Sequence, residues 1–174
     1  MTLRQYHLSD IDVFMEWARN PDVLCYRRLQ HWLQPSREDF VSYFEQAVIP
    51  RPWYRAIGFD EHTIGFICIE LAGTEKWSRG RALLSFGLER YYWGRGIATS
   101  AIREAVSAAF REIHGLVRIE AVVHPDNKAS QHGLEKLGFS NEGLLRKYLI
   151  LNGEGVDHIV YSILFTDSAD SVGM

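Results

Sequence analysis

The residues best suited to chemistry in this chain lie in the segment Tyr92–Thr99, which reads YWGRGIAT. Gly94, Gly96 and Ala98 occupy every second position, between an apolar strand-like run and a long amphipathic helical pattern. Because glycine has no Cβ, the backbone here can approach a ligand closely. The start of the following helix also offers unpaired N–H donors at the positive end of its dipole. The segment is therefore typical of an anion cradle.

Two common phosphate-binding loops do not fit this segment. A nucleotide P-loop needs Lys and then Ser or Thr after its last glycine, whereas Ile97 and Ala98 follow here. A Rossmann fingerprint needs another glycine three residues after Gly96, and Thr99 stands there instead. The cradle therefore belongs to a different class of phosphate loop.

A second motif lies downstream, separated from the loop by the length of one helix and one strand. It reads NKAS over Asn127–Ser130 and LEKLGF over Leu134–Phe139. Together the two motifs resemble the GNAT N-acetyltransferase superfamily, whose loop runs Gln/Arg-x-x-Gly-x-Gly/Ala and whose later segment runs Asn-x-x-Ser/Ala…Glu-Lys-x-Gly-Phe. Trp93 takes the Gln/Arg position, a departure that is typical of the RimJ/RimL-type branch of that family.

The resemblance implies acetyl-CoA as co-substrate and no metal. In the family, the fourth strand pairs its backbone with the pantetheine arm, the loop binds the pyrophosphate through N–H groups, and the later Asn bonds the pantetheine amides. That Asn is equally suited to cap the short helix after it, and the two roles are compatible. The implied CoA-binding residues are Phe86, Leu88, Trp93, Gly94, Arg95, Gly96, Ile97, Ala98, Thr99, Asn127 and Ser130.

Acetyl transfer to an amine needs a free-base amine, a polarised carbonyl and an acid for the leaving thiolate. Many family members place a tyrosine acid directly before the Glu-Lys pair, but this chain has Leu134 there, which has no proton to give. In the RimJ/RimL-type pattern a serine sits near the sulfur. The resemblance therefore implies Ser130 as the acid.

The base that deprotonates the amine has three candidates, Glu70, Glu120 and His124, of which Glu120 is our selection. Glu120 and His124 share one side of a strand if alternation holds. An α-amine with a pKa near 8 costs roughly 1 kcal/mol to deprotonate at pH 7, whereas lysine at ~10.4 costs about 4.6 kcal/mol. An N-terminal amine therefore needs no strong protein base, and a water relay to backbone carbonyls would suffice.

The acceptor amine is the least defined part of the reaction. The family places acceptor selection in segments that flank the acyl end, here Cys25–Trp32 and Asn152–Gly155. The leading hypothesis is an N-terminal α-amine of a protein or peptide, attacked directly in a ternary complex. A small amine such as a polyamine, amino acid or antibiotic is the second hypothesis. The third is a non-catalytic acyl-CoA-binding sensor, which the missing tyrosine at Leu134 keeps open.

The elements that position these residues follow from hydrophobic periodicity. We predict caps at Ser9 and, in a capping box with Asp39, at Ser36. Strands are predicted over 3–8, 54–59, 63–71, 82–88, 117–123, 144–151 and 157–165, with a long helix directly after the cradle. The order β-α-α-β-β-β-α-β-α-β-β predicts an α/β (α+β) fold with a mixed central sheet of about seven strands and about four helices. We expect one GNAT-like domain over residues 1–166 and a flexible tail over residues 167–174.

Composition excludes several other classes of protein. The 174 residues, 47% hydrophobic and 24% charged, fit one globular domain. The net charge of −3 argues against nucleic acid and anionic membranes as partners. No apolar run reaches the ~18 residues of a membrane span, the first residues lack a signal-peptide pattern, and two cysteines form no disulfide framework. We therefore expect a cytoplasmic enzyme that binds acetyl-CoA and an amine acceptor, with a homodimer as one possible assembly.

Overall fold

The computed structural model describes residues 1–18, 36–51, 53–60, 62–73, 80–151 and 153–167. The strands are β1 (Thr2–Gln5), β2 (Tyr54–Phe59), β3 (His62–Leu71), β4 (Arg81–Leu88), β5 (Arg118–Val123), β6 (Ser140–Leu151) and β7 (Glu154–Leu164). The α-helices are α1 (Ile11–Ala18), α2 (Arg37–Tyr43), α3 (Ile97–Glu112) and α4 (Lys128–Glu135). Short helical turns of other pitch cover Leu8–Asp10, Phe44–Val48 and Arg90–Tyr92.

The seven strands form one mixed sheet in the order β1-β2-β3-β4-β5-β7-β6, which confirms the predicted architecture. Neighbouring strands run antiparallel except β4 and β5, which run parallel. The β4–β5 ladder ends at the pair Leu83 and Glu120, although β4 continues to Leu88 and β5 to Val123. The two strands therefore diverge. We call the opening between residues 84–88 and residues 121–123 the splay.

Helices cover the two faces of the sheet with separate hydrophobic cores. On one face, α3 and α4 pack over a largely aliphatic core that includes Ile67, Leu84, Ala101, Ile119 and Leu134. On the other face, α1 and α2 cover β2 and β3 through an aromatic core that includes Tyr6, Phe14, Phe44, Tyr54 and Phe66. Because strand residues alternate between faces, the side chains of Glu120 and Val122 point away from α3.

A network of charged side chains joins four strands at the closed end of the splay. Glu120 accepts hydrogen bonds from Arg81 Nε at 3.0 Å and from Arg118 Nε at 2.6 Å. Arg118 also binds Glu142 through Nη1 and Nη2, and Ser162 Oγ donates to Glu142 at 2.6 Å. Arg118 and then Ser162 lower the pKa of Glu142 to about 2. The network thus holds β4, β5, β7 and β6 together where the ladder closes.

Most predicted elements are confirmed, including the β2–β3 hairpin, β4, the long α3 and the capping box of Ser36 with Asp39. The start of the first helix differs from prediction, because the turn Leu8–Asp10 precedes it and Ser9 is not its cap. Asp10 accepts a hydrogen bond from His7 N at 2.9 Å and pairs with Arg4 at 2.6 Å. Burial opposes ionisation of Asp10, but these donors and Thr63 outweigh it and lower the pKa of this carboxyl group.

The last hairpin is longer than its apolar pattern indicated. β6 begins at Ser140, before the predicted start at residue 144, and β7 begins at Glu154. The early residues of β6 were hidden because Glu142 bonds Arg118 and Ser162 instead of contributing to an apolar stripe.

Some predictions fall outside the described residues, namely Cys25–Trp32, Asn152 and residues 168–174. Within the described ranges, no helix is long and apolar enough to cross a membrane.

Candidate functional site

The β3–β4 ladder determines which backbone groups of β4 face the splay. Its ends are marked by two 2.9 Å hydrogen bonds, from Ala72 N to Arg81 O and from Glu89 N to Ile64 O. Bonded residues alternate in an antiparallel ladder, so the odd-numbered residues of β4 bond β3 and the even-numbered ones direct their N–H and C=O groups to the opposite side. Phe86 and Leu88, the predicted pantetheine-pairing positions, therefore present backbone groups to the splay.

The loop between β4 and α3 requires glycine at two positions. Gly94 and Gly96 have φ values of 73° and 75°, in the left-handed region that residues with a Cβ rarely adopt. Among the described residues, a Cβ built at either position would meet nothing within 4 Å. The glycines are therefore required by backbone conformation, and the space above them is open to a ligand.

The first turn of α3 carries unpaired donors toward this space. Gly96 is the N-cap and has no side chain to cap the helix, and the first helical bond runs from Ser100 N to Gly96 O at 3.0 Å. The N–H groups of Ile97, Ala98 and Thr99 consequently have no partner within the helix. Because α3 is 16 residues long, its aligned peptide dipoles place positive potential at the same point. The arrangement suits a phosphate.

Two side chains of the loop complete the cradle. Trp93 Nε1 donates to Leu88 O at 2.7 Å, which ties the loop to the end of β4. The Arg95 guanidinium lies 4.6 Å from the ring centroid of Tyr91 and 5.7 Å from that of Tyr92. Within the described part of the chain, Arg95 forms no ion pair, so its charge is available to an anion.

The start of α4 supplies two further polar groups. Asn127 is the N-cap, and its Oδ1 accepts from Ser130 N at 3.1 Å, which confirms the capping role. Considering the described residues alone, neither the Asn127 amide nitrogen nor the Ser130 hydroxyl has a hydrogen-bond partner. Ser130 is half-buried. These two groups are free to bind a ligand beside the splay.

Contacts on both sides fix α4 next to the cradle. Gln131 Nε2 donates to His124 O at 3.1 Å and to Pro125 O at 2.7 Å, which holds the turn from β5 into α4. Two residues further along, a Cβ built on Gly133 would lie 3.7 Å from Thr99 Oγ1 in α3. The Asn127–Ser130 motif and the glycine loop, separate in sequence, are therefore neighbours in the fold.

The position that holds a tyrosine in many family members is part of the core here. Leu134 is 0% exposed and packs among the apolar residues between α3 and the sheet. It offers no proton, so an acid must come from another residue.

The predicted bases have different surroundings. Glu120 is 8% exposed, and its carboxylate is engaged by Arg81 and Arg118, which weighs against proton transfer at this group. Glu70 is exposed and pairs with Arg51 at 3.1 Å. His124 Nδ1 accepts from Asp126 N at 3.1 Å, so this nitrogen is already engaged. The geometry therefore does not identify any of these three residues as the base.

A second histidine, which the sequence patterns did not single out, lies beside His124. His158 on β7 is 2% exposed, and its ring centroid is 5.8 Å from that of His124 and 6.1 Å from that of Tyr148. Its Nδ1 lies 3.2 Å from Val156 O. The signal was absent because β5 and β7 are paired by the sheet order and lie far apart in sequence.

Comparison with known proteins identifies relatives of this chain. A family model described as an acetyltransferase (GNAT) domain matches residues 1–140. An uncharacterized N-acetyltransferase, p20 of Bacillus licheniformis, is 30% identical over 175 residues, covering 94% of this chain and 92% of that protein. A [ribosomal protein uS5]-alanine N-acetyltransferase of Escherichia coli (strain K12) is 31% identical over 84 residues, covering 48% of this chain and 43% of that protein.

The fold also matches solved structures. A crystal structure of spermidine N-acetyltransferase from Vibrio cholerae, in complex with CoA and spermine, superposes with a TM-score of 0.79. That alignment covers 97% of both chains at 20% identity. At this identity the similarity shows a shared fold.

Proposed function

This chain belongs to the GNAT acetyltransferase family and is an N-acetyltransferase, and on that premise we propose that it acetylates the N-terminal α-amine of a protein or peptide. The family uses acetyl-CoA as the acetyl donor. The proposal concerns the identity of the acceptor amine.

The observation that supports acetyl-CoA as the donor is the position of the splay next to the start of α3. The splay exposes backbone groups of Phe86 and Leu88, and the cradle adds the unpaired N–H groups of 97–99 and the cation of Arg95. A linear ligand with a diphosphate at one end and two amide groups along its arm matches this sequence of donors and acceptors. Acetyl-CoA is such a ligand, and when bound it supplies an activated thioester.

Each predicted CoA-binding group has a role in the proposed complex. Gly94–Thr99 bind the pyrophosphate through backbone N–H groups, and Thr99 adds a hydroxyl. Phe86 and Leu88 pair with the pantetheine arm in the manner of an added strand. The Asn127 amide nitrogen, which capping leaves unused, bonds the arm from the opposite side of the splay.

The reaction needs one proton removed and one supplied. The amine nitrogen forms a bond to the acetyl carbon, the carbon–sulfur bond breaks, the amine loses a proton and the thiolate gains one. We assign delivery of the thiolate's proton to the Ser130 hydroxyl, because it is half-buried and has no partner among the described residues. The proton that the amine releases returns to Ser130, so the serine ends the reaction neutral. Glu120 remains a predicted base, but its two ion pairs favour release of the amine proton through water.

An α-amine fits this site better than a lysine side chain. No described candidate is a base free of other partners, and at pH 7 an α-amine is the cheaper of the two to deprotonate by more than 3 kcal/mol. The partial similarity to a uS5-alanine N-acetyltransferase supports the same acceptor class.

The proposal is tested by following CoA release from acetyl-CoA across a panel of amines. We expect kcat/KM at neutral pH to be roughly several hundred-fold higher for peptides with a free N-terminus than for the same peptides with a blocked N-terminus and one internal lysine, following the difference in free-base fraction. The blocked peptide without lysine is the matched control. A preference for spermidine or free amino acids would overturn the acceptor class. Tight CoA binding without turnover of any amine would favour a sensor.

A further inference from the structure

Trp93 makes one polar contact that links two parts of the proposed CoA site. Its indole Nε1–H donates to Leu88 O at 2.7 Å, while the ring is 45% exposed. Leu88 is the last residue of β4, and Trp93 directly precedes the first left-handed glycine of the cradle. The bond therefore closes a ring through the turn Arg90–Tyr92 and fixes the cradle relative to the edge of the strand.

The carbonyl that accepts this bond points into the splay. Leu88 belongs to the even-numbered residues of β4, whose N–H and C=O groups face away from β3. With Leu88 O occupied by the indole, the Leu88 N–H and both backbone groups of Phe86 are the other groups that residues 85–88 direct into the splay. An extended arm that pairs with β4 is therefore held to one register.

We propose that Trp93 is a positioning residue that couples the pantetheine edge of the site to the phosphate cradle. The inference rests on the proposed use of acetyl-CoA. A ligand that occupies both regions at once gains from their fixed separation, because less ordering is required on binding. A fragment that occupies one region alone gains nothing from the tether. The Trp93 hydrogen bond should therefore strengthen the binding of whole CoA and leave the binding of a fragment unchanged.

The test compares CoA with adenosine 3′,5′-bisphosphate, the portion of CoA that remains when the phosphopantetheine arm is removed, by titration calorimetry. Trp93→Phe keeps an aromatic ring and removes the donor. We expect its affinity for CoA to fall about fivefold, equivalent to ~1 kcal/mol for one neutral hydrogen bond. Its affinity for the bisphosphate should stay within about twofold of the original protein.

Trp93→Gln is the matched rescue variant. Glutamine carries its amide nitrogen the same number of bonds from Cα as the indole nitrogen, so it keeps a donor and loses the ring. It should bind CoA more tightly than Trp93→Phe. If the phenylalanine variant fails to fold, Trp93→Met takes its place, because methionine has a similar length and no donor.

Each alternative result has a distinct meaning. Equal CoA affinity in Trp93→Phe and the original protein overturns the coupling and leaves the proposed function intact. Equal losses for CoA and the bisphosphate, or equal losses in the phenylalanine and glutamine variants, also overturn it, since they indicate a general effect on loop or fold. Absence of CoA binding to the original protein would overturn the proposed function and this inference together.

Discussion

At the scale of single residues, the site is built from polar groups that the protein itself does not use. In the parts of the chain that the structure describes, the Ser130 hydroxyl and the Asn127 amide nitrogen lack protein partners, and the amides of 97–99 lack helical ones. Elsewhere such groups are paired, as in the three donors that surround Asp10. A protein with unpaired donors lacks part of the stability that hydrogen bonds normally provide, and a ligand that accepts these bonds restores it.

The proposed role of Ser130 as the acid can be tested directly. Ser130→Ala removes the proposed proton donor, so we expect kcat to fall at least about tenfold while CoA affinity changes less than about twofold. Steady-state kinetics and calorimetry give the two values. Ser107→Ala, at a half-buried helical serine of α3 away from the splay, is the matched control. An unchanged kcat would exclude Ser130 as the acid.

At the scale of elements, α3 determines where an anion binds. The helix is bracketed by two left-handed glycines, Gly96 before it and Gly115 after it, with φ values of 75° and 78°. In the part of the chain that the structure describes, no atom lies within 4 Å of a Cβ built at either position. The two positions differ mainly in the helix dipole, which is positive near Gly96 and negative near Gly115.

This symmetry provides a controlled test of the cradle. Gly96→Asp places a carboxylate where the phosphates would bind, so we expect CoA affinity to fall at least about tenfold by like-charge repulsion. Folding stability should change little, because left-handed strain of about 1–2 kcal/mol is partly offset by a favourable charge at the helix start. Gly115→Asp, with similar strain and the same charge, should leave CoA affinity unchanged. Calorimetry that finds equal CoA affinity in both variants would contradict the cradle.

The elements also show why some features were predictable. The cradle and α3 are local, and glycine spacing with helical periodicity is sufficient to locate them. The charge network and the contact of His124 with His158 join segments that become neighbours only through the strand order β5-β7-β6. No local pattern contains that order. Glu120 shows the consequence, because its acidity suggested a base whereas its partner Arg81 was unknown until β4 and β5 were paired.

At the scale of the whole molecule, the splay can be reached from either face of the sheet. The cradle lies where α3 begins on one face, and the side chains of Val122, His124 and His158 lie on the other. Because β4 and β5 diverge beyond Leu83 and Glu120, the splay connects the two faces. In the proposed complex, a donor that enters beside α3 and an acceptor that approaches from the opposite face meet there without exchanging places.

This geometry predicts a sequential reaction with no acetylated enzyme. The thiol of Cys68 is buried in the aromatic core beneath α1 and α2, and among the described residues no other cysteine is present to accept the acetyl group. We expect double-reciprocal plots at several fixed amine concentrations to intersect. Intact mass after incubation with acetyl-CoA alone should match that of protein incubated with CoA. Parallel lines together with a protein that carries one acetyl group would contradict direct attack, because they require the donor to leave before the acceptor binds.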